Sequence, residues 1–499
     1  MKFISISYGL LLLSVLGIYW SFAEQKLRLW TLLIASLVFY ASLQIQYLPL
    51  LLTLTFINFR LGREIGKNTS PGKHSLDWQI SNEEWQYAQA DWNRRRLKIM
   101  WFGVILNVAL LLVFKYLPVL LQNIFHVQIN HADASSNSFI PLGISFFTFE
   151  CIAYLIDVYR GAPATDKLLK FATYKLFFVK LISGPITRYH NLANQFNTLH
   201  LPTSDKVADG LWLIARGAVK KSILADNLGI FVDLCFGNLQ RAGSGDLWLA
   251  TFAYGLQLYF DFSSYVDMAR GSALLFGLVL PENFDFPYFS TSIAEFWRRW
   301  HMTLGDWLRN YLYFPLGGSR QGLIRTCWNL FIVMLVAGIW HGGSAWGYIV
   351  WGILHGLALV VHRLTDAMSD RYEHLEHFWQ NPLGIVVAWL LTQLMVFISW
   401  IWFRLPNLQD SSWVIQHLWG YSGDQQFAQK VYVEALNMSQ YQLTWLLVIL
   451  ATLMGIVYTF KGRLKLDLNW PVKLVFVPLC LYAVWLLAPE GAPHIYFGF

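Results

Sequence analysis

The chain has 499 residues, 56% of them hydrophobic, 17% aromatic and only 13% charged, with a formal net charge of +7 and a mean hydropathy of +0.42. Ordinary soluble domains carry roughly 25% charged residues, so a soluble enzyme of this length is excluded, and the apolar content excludes a disordered chain. Cys151, Cys235, Cys327 and Cys480 lie far apart with no CxxC pair, which excludes a disulfide scaffold.

A spanning helix takes about 20 mostly apolar residues. In chain order the candidate windows are 3–22, 29–44, 46–59, 99–123, 139–157, 171–187, 208–235, 247–278, 324–340, 345–361, 384–403, 443–460 and 471–488. Some are short and read as re-entrant or buried segments. The expected fold is an all-α polytopic membrane protein with about 11–13 transmembrane or re-entrant helices. A secretory signal peptide ending near Ser21-Phe22-Ala23 is the weaker reading of the first window, because a second apolar segment follows at once. Cys327 to Val361 contains no charged residue. As one helix that run would be about 50 Å long, too much for one crossing. A turn at Gly342-Gly343-Ser344 divides it.

Lys and Arg mark cytoplasmic loops. Arg63, Lys67, Lys73, Arg94, Arg95, Arg96 and Lys98 crowd 60–98, whereas 124–138 has none. The positive net charge therefore reads as basic loops on the inner face and not as nucleic-acid binding. Segment 66–98 is expected to be a polar cytoplasmic insert in a single membrane domain spanning 1–499. Segment 404–442 is expected to be an outer loop holding short helices, and Lys461, Arg463 and Lys465 mark the last inner loop. Both termini then face outward.

The chemistry concentrates between 254 and 356. Phe296-Trp297-Arg298-Arg299-Trp300-His301 leads into Trp307-Leu308-Arg309 and Pro315-Leu316-Gly317-Gly318. Such a stretch reads either as an interfacial helix with arginines on lipid phosphates or as a cationic mouth for an anionic acyl carrier. Within the charge-free run stands Trp340-His341-Gly342-Gly343. An ionisable residue there is a functional hypothesis by default, and imidazole suits proton transfer near neutrality. His355 reads as structural. His374 and His377 fall in a charged loop; no HExxH, GxSxG, P-loop or GxGxxG is present, so zinc and Ser-His-Asp hydrolase chemistry are unsupported.

Taken together, several blocks resemble the membrane-bound O-acyltransferase family, in particular its bacterial branch of polysaccharide O-acetylation and teichoic-acid D-alanylation proteins. They are Pro141-Leu142-Gly143-Ile144-Ser145, Asp157-Val158-Tyr159-Arg160-Gly161, Ser183-Gly184-Pro185-Ile186, Gln257 through Ala269, the His301 block, Asn329, and Trp340-His341-Gly342. The resemblance implies a funnel of tilted helices with His341 catalytic and His301 a second funnel residue. It also implies a cell (inner) membrane location. Asp261 and Asp267, six residues apart, do not share a helix face, so a paired-carboxylate acid–base device is not expected; they are expected to be structural, capping broken helices or pairing with buried Arg. Arg298, Arg299 and Arg309, with Arg320 and Arg325, suit a cytoplasmic donor entrance.

The implied reaction passes an acetyl group from acetyl-CoA or another acyl thioester to an exported polysaccharide, alginate-like exopolysaccharide being favoured. It involves an extracytoplasmic acetyltransferase or esterase-like partner and no bound cofactor or metal. D-alanyl transfer to teichoic acid and peptidoglycan O-acetylation are the alternatives; a transporter would require inverted repeats, which are not seen. The tail, Ala492 to Phe499, holds three aromatics and no charged side chain. It reads either as an interface anchor or as a segment packed back into the protein, with Tyr496 as an acyl relay.

Overall fold

The computed structural model describes residues 3–67, 82–125, 140–197, 200–342, 346–464, 466, 468–489, 494 and 495. The described residues are helical apart from loops and one isolated antiparallel bridge, Phe284 to Trp300. They form two compact units, Met1–Val207 with Ser272–Pro281, and Ala208–Gly271 with Glu282–Phe499.

The first unit is built from α1 (Ile6–Ser21), α2 (Gln25–Gln44), α3 (Leu48–Gly66), α4 (Asn82–Phe125), α5 (Ile144–Tyr159), α6 (Leu168–Leu176) and α7 (Tyr189–Ala193). Ser5 caps α1 by accepting from Tyr8 N, as a short hydroxyl does for an orphan N–H. Leu33, Tyr40, Leu51, Leu54, Phe147, Cys151 and Leu176 form one core, and Gln44 pins the entry to α5 by accepting from Leu142 N at 2.7 Å.

The candidate window 171–187 is not one continuous helix: α6 stops at Leu176 and the chain runs irregularly to α7. The cause is charge. Glu150 on α5 accepts from Lys180 at 2.7 Å on both oxygens, from Lys175 at 3.1 Å and from Thr187 N and Oγ1 at 3.0 and 2.9 Å. All three charged side chains are buried. A regular helix would carry Lys180 away from that carboxylate, so the backbone bends to keep the pairs; breaking one buried pair costs about 3–5 kcal/mol. Irregular backbone at membrane depth is tolerated where it is enclosed by protein.

The second unit contains most of α8 (Ser204–Val219), then α9 (Asp226–Phe236), most of α10 (Ser244–Leu275), α11 (Ile293–Arg299), α12 (Met302–Leu308), α13 (Gly322–His341), α14 (Trp346–Ser369), α15 (Glu373–Gln380), α16 (Pro382–Arg404), α17 (Leu408–Gln416), α18 (Gln425–Ala428), α19 (Gln440–Tyr458) and α20 (Trp470–Leu487). The charge-free run is cut where the glycines predicted, since α13 ends at His341 and α14 begins at Trp346. The window 208–235 is α8 and α9 joined by a π turn over Lys220–Ala225.

Among the described residues seven helical segments are long and apolar enough to cross a membrane: Gln25–Gly66, Trp92–Leu117, Gly322–His341, Trp346–Ser369, Pro382–Arg404, Gln440–Gly462 and Trp470–Leu487. The chain is an all-α, multi-pass membrane protein. Several other windows are different in kind: α5 is almost wholly buried, as a re-entrant or enclosed helix would be. By contrast α20 buries no residue at all and has a mean window hydropathy of 1.8, the pattern of a helix bathed in lipid.

Candidate active site

The site is assembled on the α13–α14 hairpin. The two helices approach closely because glycines face each other. A Cβ on Gly338 would fall 2.5 Å from Tyr348 O, and one on Gly352 would fall 2.7 Å from Met334 O. Small residues at such crossings let backbones touch. The hairpin thereby sets His341, the last residue of α13, against α14. The His341 ring is buried, 4.3 Å from the ring of Trp340, 5.3 Å from Trp351 and 5.0 Å from Phe403 of α16, centroid to centroid.

These rings belong to a larger cluster. Phe403 meets Trp400 at 5.3 Å, and Trp400 meets Trp300 at 5.1 Å. Trp300 is the residue before His301, so the two histidines singled out in the sequence sit on one continuous aromatic cluster. His301 is buried as well, with its ring edge-on to Phe262 of α10 at 4.8 Å. Its backbone is left-handed, φ +44°, a rare conformation for a residue with a Cβ. Neighbouring contacts impose it. Asn283 Oδ1 accepts from Thr303 N and Oγ1 at 3.0 and 2.6 Å, Asn283 O accepts from Met302 N, and the Phe284–Trp300 bridge holds the other side. Non-glycine residues held this way cost about 1–3 kcal/mol and cluster at functional sites.

His355 has the structural role read from the sequence. Trp297 Nε1–H donates to its Nδ1 at 3.2 Å, and its Nε2 lies 2.8 Å from Ser399 Oγ, whose own hydroxyl donates to Val396 O. That arrangement fixes a neutral Nε2–H tautomer. His374 and His377 are exposed on α15, and His377 Nε2 lies 3.5 Å from Glu373.

The three arginines assigned to donor binding divide. Arg298 is exposed. Arg299 is held by Glu295 at 2.8 Å and Arg309 by Asp306 at 2.5 Å. Asn329 ties the following loop to α13 by donating to Leu316 O and Gly318 O.

Both aspartates of α10 meet buried basic groups. Asp267 accepts from Arg216 at 2.6 and 3.0 Å and from Lys220 at 2.7 Å. Asp261 pairs with Lys221 at 2.8 Å, and Lys221 with Asp226 at 2.7 Å. The partners are two lysines as well as the expected arginine. Asp261 also receives the tail: Ile495 N–H donates to it at 2.9 Å and His494 Nδ1 lies 3.4 Å away, with the His494 ring edge-on to Tyr265. The segment just before Tyr496 is therefore fastened to α10; Tyr496 itself lies outside the described residues. Sequence reasoning missed the Glu150–Lys175–Lys180 group, although two lysines inside one apolar window were a signal for it.

Comparison with known proteins now adds the family. Residues 97–401 match MBOAT, the membrane-bound O-acyltransferase family. The chain is 37% identical to the probable alginate O-acetylase AlgI of Pseudomonas syringae pv. tomato, over 88% of this chain and 78% of that protein. It is 34% identical to the peptidoglycan O-acetyltransferase of Helicobacter pylori over 79% of this chain and 74% of that protein. Against the teichoic acid D-alanyltransferase of Streptococcus thermophilus it is 30% identical over 52% of this chain and 70% of that protein. The match runs from within α4 to within α16 and covers His301, His341, His355 and most of their aromatic cluster, and the chain belongs to the membrane-bound O-acyltransferase family as an O-acyltransferase enzyme.

Proposed function

We propose that the protein moves an acetyl group from a cytoplasmic thioester, acetyl-CoA or a similar carrier, toward an exported polysaccharide, with His341 as the catalytic histidine. The observation that carries this reading is a buried imidazole at the end of a charge-free span, enclosed by aromatic rings at a glycine turn. A phosphate-bearing carrier cannot enter the hydrocarbon core cheaply, but the acetyl group alone can pass. His341 takes the proton from the attacking hydroxyl, the carbonyl carbon gains the new C–O bond, the C–S bond breaks, and the thiol leaves with a proton. The ring wall excludes water, which would otherwise hydrolyse the thioester. Arg298, exposed beside the cluster, raises the local concentration of an anionic donor. Acetyl transfer is favoured over D-alanyl transfer because the O-acetylating relatives match more of the chain.

In this reading the Lys461 region faces inward and the 404–442 segment outward, and an extracytoplasmic transferase receives the acetyl group. The test is polymer acetylation in cells, with radiolabelled acetyl and D-alanyl donors supplied in parallel to membranes. Acetyl label on polymer that vanishes with His341→Gln at normal membrane level supports the proposal. Unchanged acetylation in that variant, or D-alanyl label alone, overturns it.

A further inference from the structure

A cavity lies within the second unit, away from the aromatic cluster. It has a volume of about 480 Å³ and is lined chiefly by Asn238, Gln240, Arg241, Gln409, Asp410 and Trp413. That volume falls within the roughly 300–1,000 Å³ of small-molecule sites. Its walls are the loop joining α9 to α10 and the first two turns of α17.

The cavity is tied to the His341 end of the hairpin. Phe403 touches the His341 ring, and the next residue, Arg404, pairs with Asp233 of α9 at 2.7 Å. The α9–α10 loop begins just beyond. Gly347, at the start of α14, donates to Pro406 O at 2.9 Å, two residues before α17 begins. The α9–α10 wall is also fixed to the segment that follows α17. Ser244 N donates to Tyr421 O, Tyr421 N donates to Ser244 Oγ, Tyr421 OH donates to Gln240 O, and Asp424 N donates to Arg241 O at 2.8 Å. His417 stacks on Trp413 at 4.0 Å and 15°, and Tyr421 meets Trp413 edge-on.

The lining chemistry selects a ligand class. A pyranose has faces of C–H groups and a rim of hydroxyls. An indole supplies a rigid apolar platform for such a face. Planar amides, a carboxylate and a guanidinium supply donor and acceptor pairs for neighbouring hydroxyls. A phosphate ligand would need more cationic groups than one arginine, itself paired with Asp424 at 4.0 Å. A lipid chain would need an apolar lining. We infer that this cleft binds a segment of glycan chain, and so holds the acceptor polymer beside the end of the membrane domain where the acetyl group leaves. This rests on the outward orientation of 404–442 in the proposed function.

The experiment uses the full chain in lipid nanodiscs and saturation-transfer NMR on two probes, an unacetylated oligouronate hexamer and a neutral β-glucan hexamer. Wild-type protein is expected to bind at least one probe. Trp413→Ala is expected to weaken it fivefold or more in protein that remains folded, and the exposed pair Gln240→Ala with Gln409→Ala threefold with an unchanged melting profile. His341→Gln is expected to bind as wild type. Binding of neither probe overturns the inference, as do folded cleft variants that bind like wild type. Loss of a co-purifying extracytoplasmic protein in the variants, without glycan binding, also overturns it and makes the cleft a protein-docking face. Full acetyl transfer by His341→Gln, with glycan binding still following the cleft variants, sinks the catalytic reading and leaves the glycan site standing.

Discussion

His341 and His355 are buried in the same aromatic cluster on adjacent helices, yet their settings differ. His355 lies mid-helix, with Nδ1 and Nε2 each engaged by a named side chain, Trp297 and Ser399. His341 lies at a helix terminus, walled by Trp340, Trp351 and Phe403 and followed at once by a glycine. The first histidine closes a hydrogen-bond chain that joins α11, α14 and α16. The second sits at the end of α13, beside the glycine that ends the helix. Burial and residue type are the same in both places; position on the helix and the surrounding chemistry separate scaffold from candidate catalyst.

The sharpest break of this comparison is the paired replacement of both histidines. His341→Gln is expected to lower acetyl transfer by roughly 10²–10⁴-fold, the contribution of a positioned acid–base group, at normal membrane level. His355→Gln is expected to keep most activity, because an amide can still accept and donate; equal losses in the two folded variants would erase the distinction. The tail extends the comparison beyond the hairpin. Tyr496→Phe keeps ring and packing but removes the hydroxyl, so a relay through Tyr496 predicts lost acetylation. An acetyl adduct on the C-terminal peptide would be read by mass spectrometry, and full activity would leave direct transfer at His341. A smaller effect is expected at the donor side. Arg298→Glu should raise the donor KM several-fold with little change in kcat, since an exposed charge acts on local concentration. The mildest is Ser399→Ala, which strands the His355 Nε2–H. It is expected to cost about 1–3 kcal/mol of stability, read as earlier thermal unfolding with transfer per folded molecule unchanged.

The parts legible in the sequence were those encoded by local pattern. The cut at Gly342, the short helices of 404–442 and the structural role of His355 follow from composition and spacing. The end of α6 at Leu176 did not, because its cause is Glu150, a residue on another helix. A hydropathy window averages Lys175 and Lys180 into an apolar mean and cannot see a carboxylate that arrives by packing. The left-handed turn at His301 was hidden for the same reason: Asn283, which enforces it, is eighteen positions upstream. For Asp261 and Asp267 the expected arginine is present as Arg216, but Lys220 and Lys221 were not foreseen, because the π turn before α9 brings both of them to α10.

That turn has a consequence for how this gene can change length. Lys220 and Lys221 are adjacent, yet Lys220 serves Asp267 while Lys221 serves Asp261 and Asp226. A π turn holds one residue more than the α-helical turn it replaces. Removing that residue would close the turn to an ordinary α turn, whereas removing one from the regular helix of α9 would rotate everything after it by about 100°. A deletion between Asp226 and Asp233 would carry Asp233 away from Arg404. Substitutions in this stretch can be absorbed one side chain at a time. A single-codon deletion in α9 would misalign the ion pair and the Trp413 cleft together, so its regular turns tolerate replacement far better than a change in count, and the π turn is the place in this stretch where a change in count is absorbed.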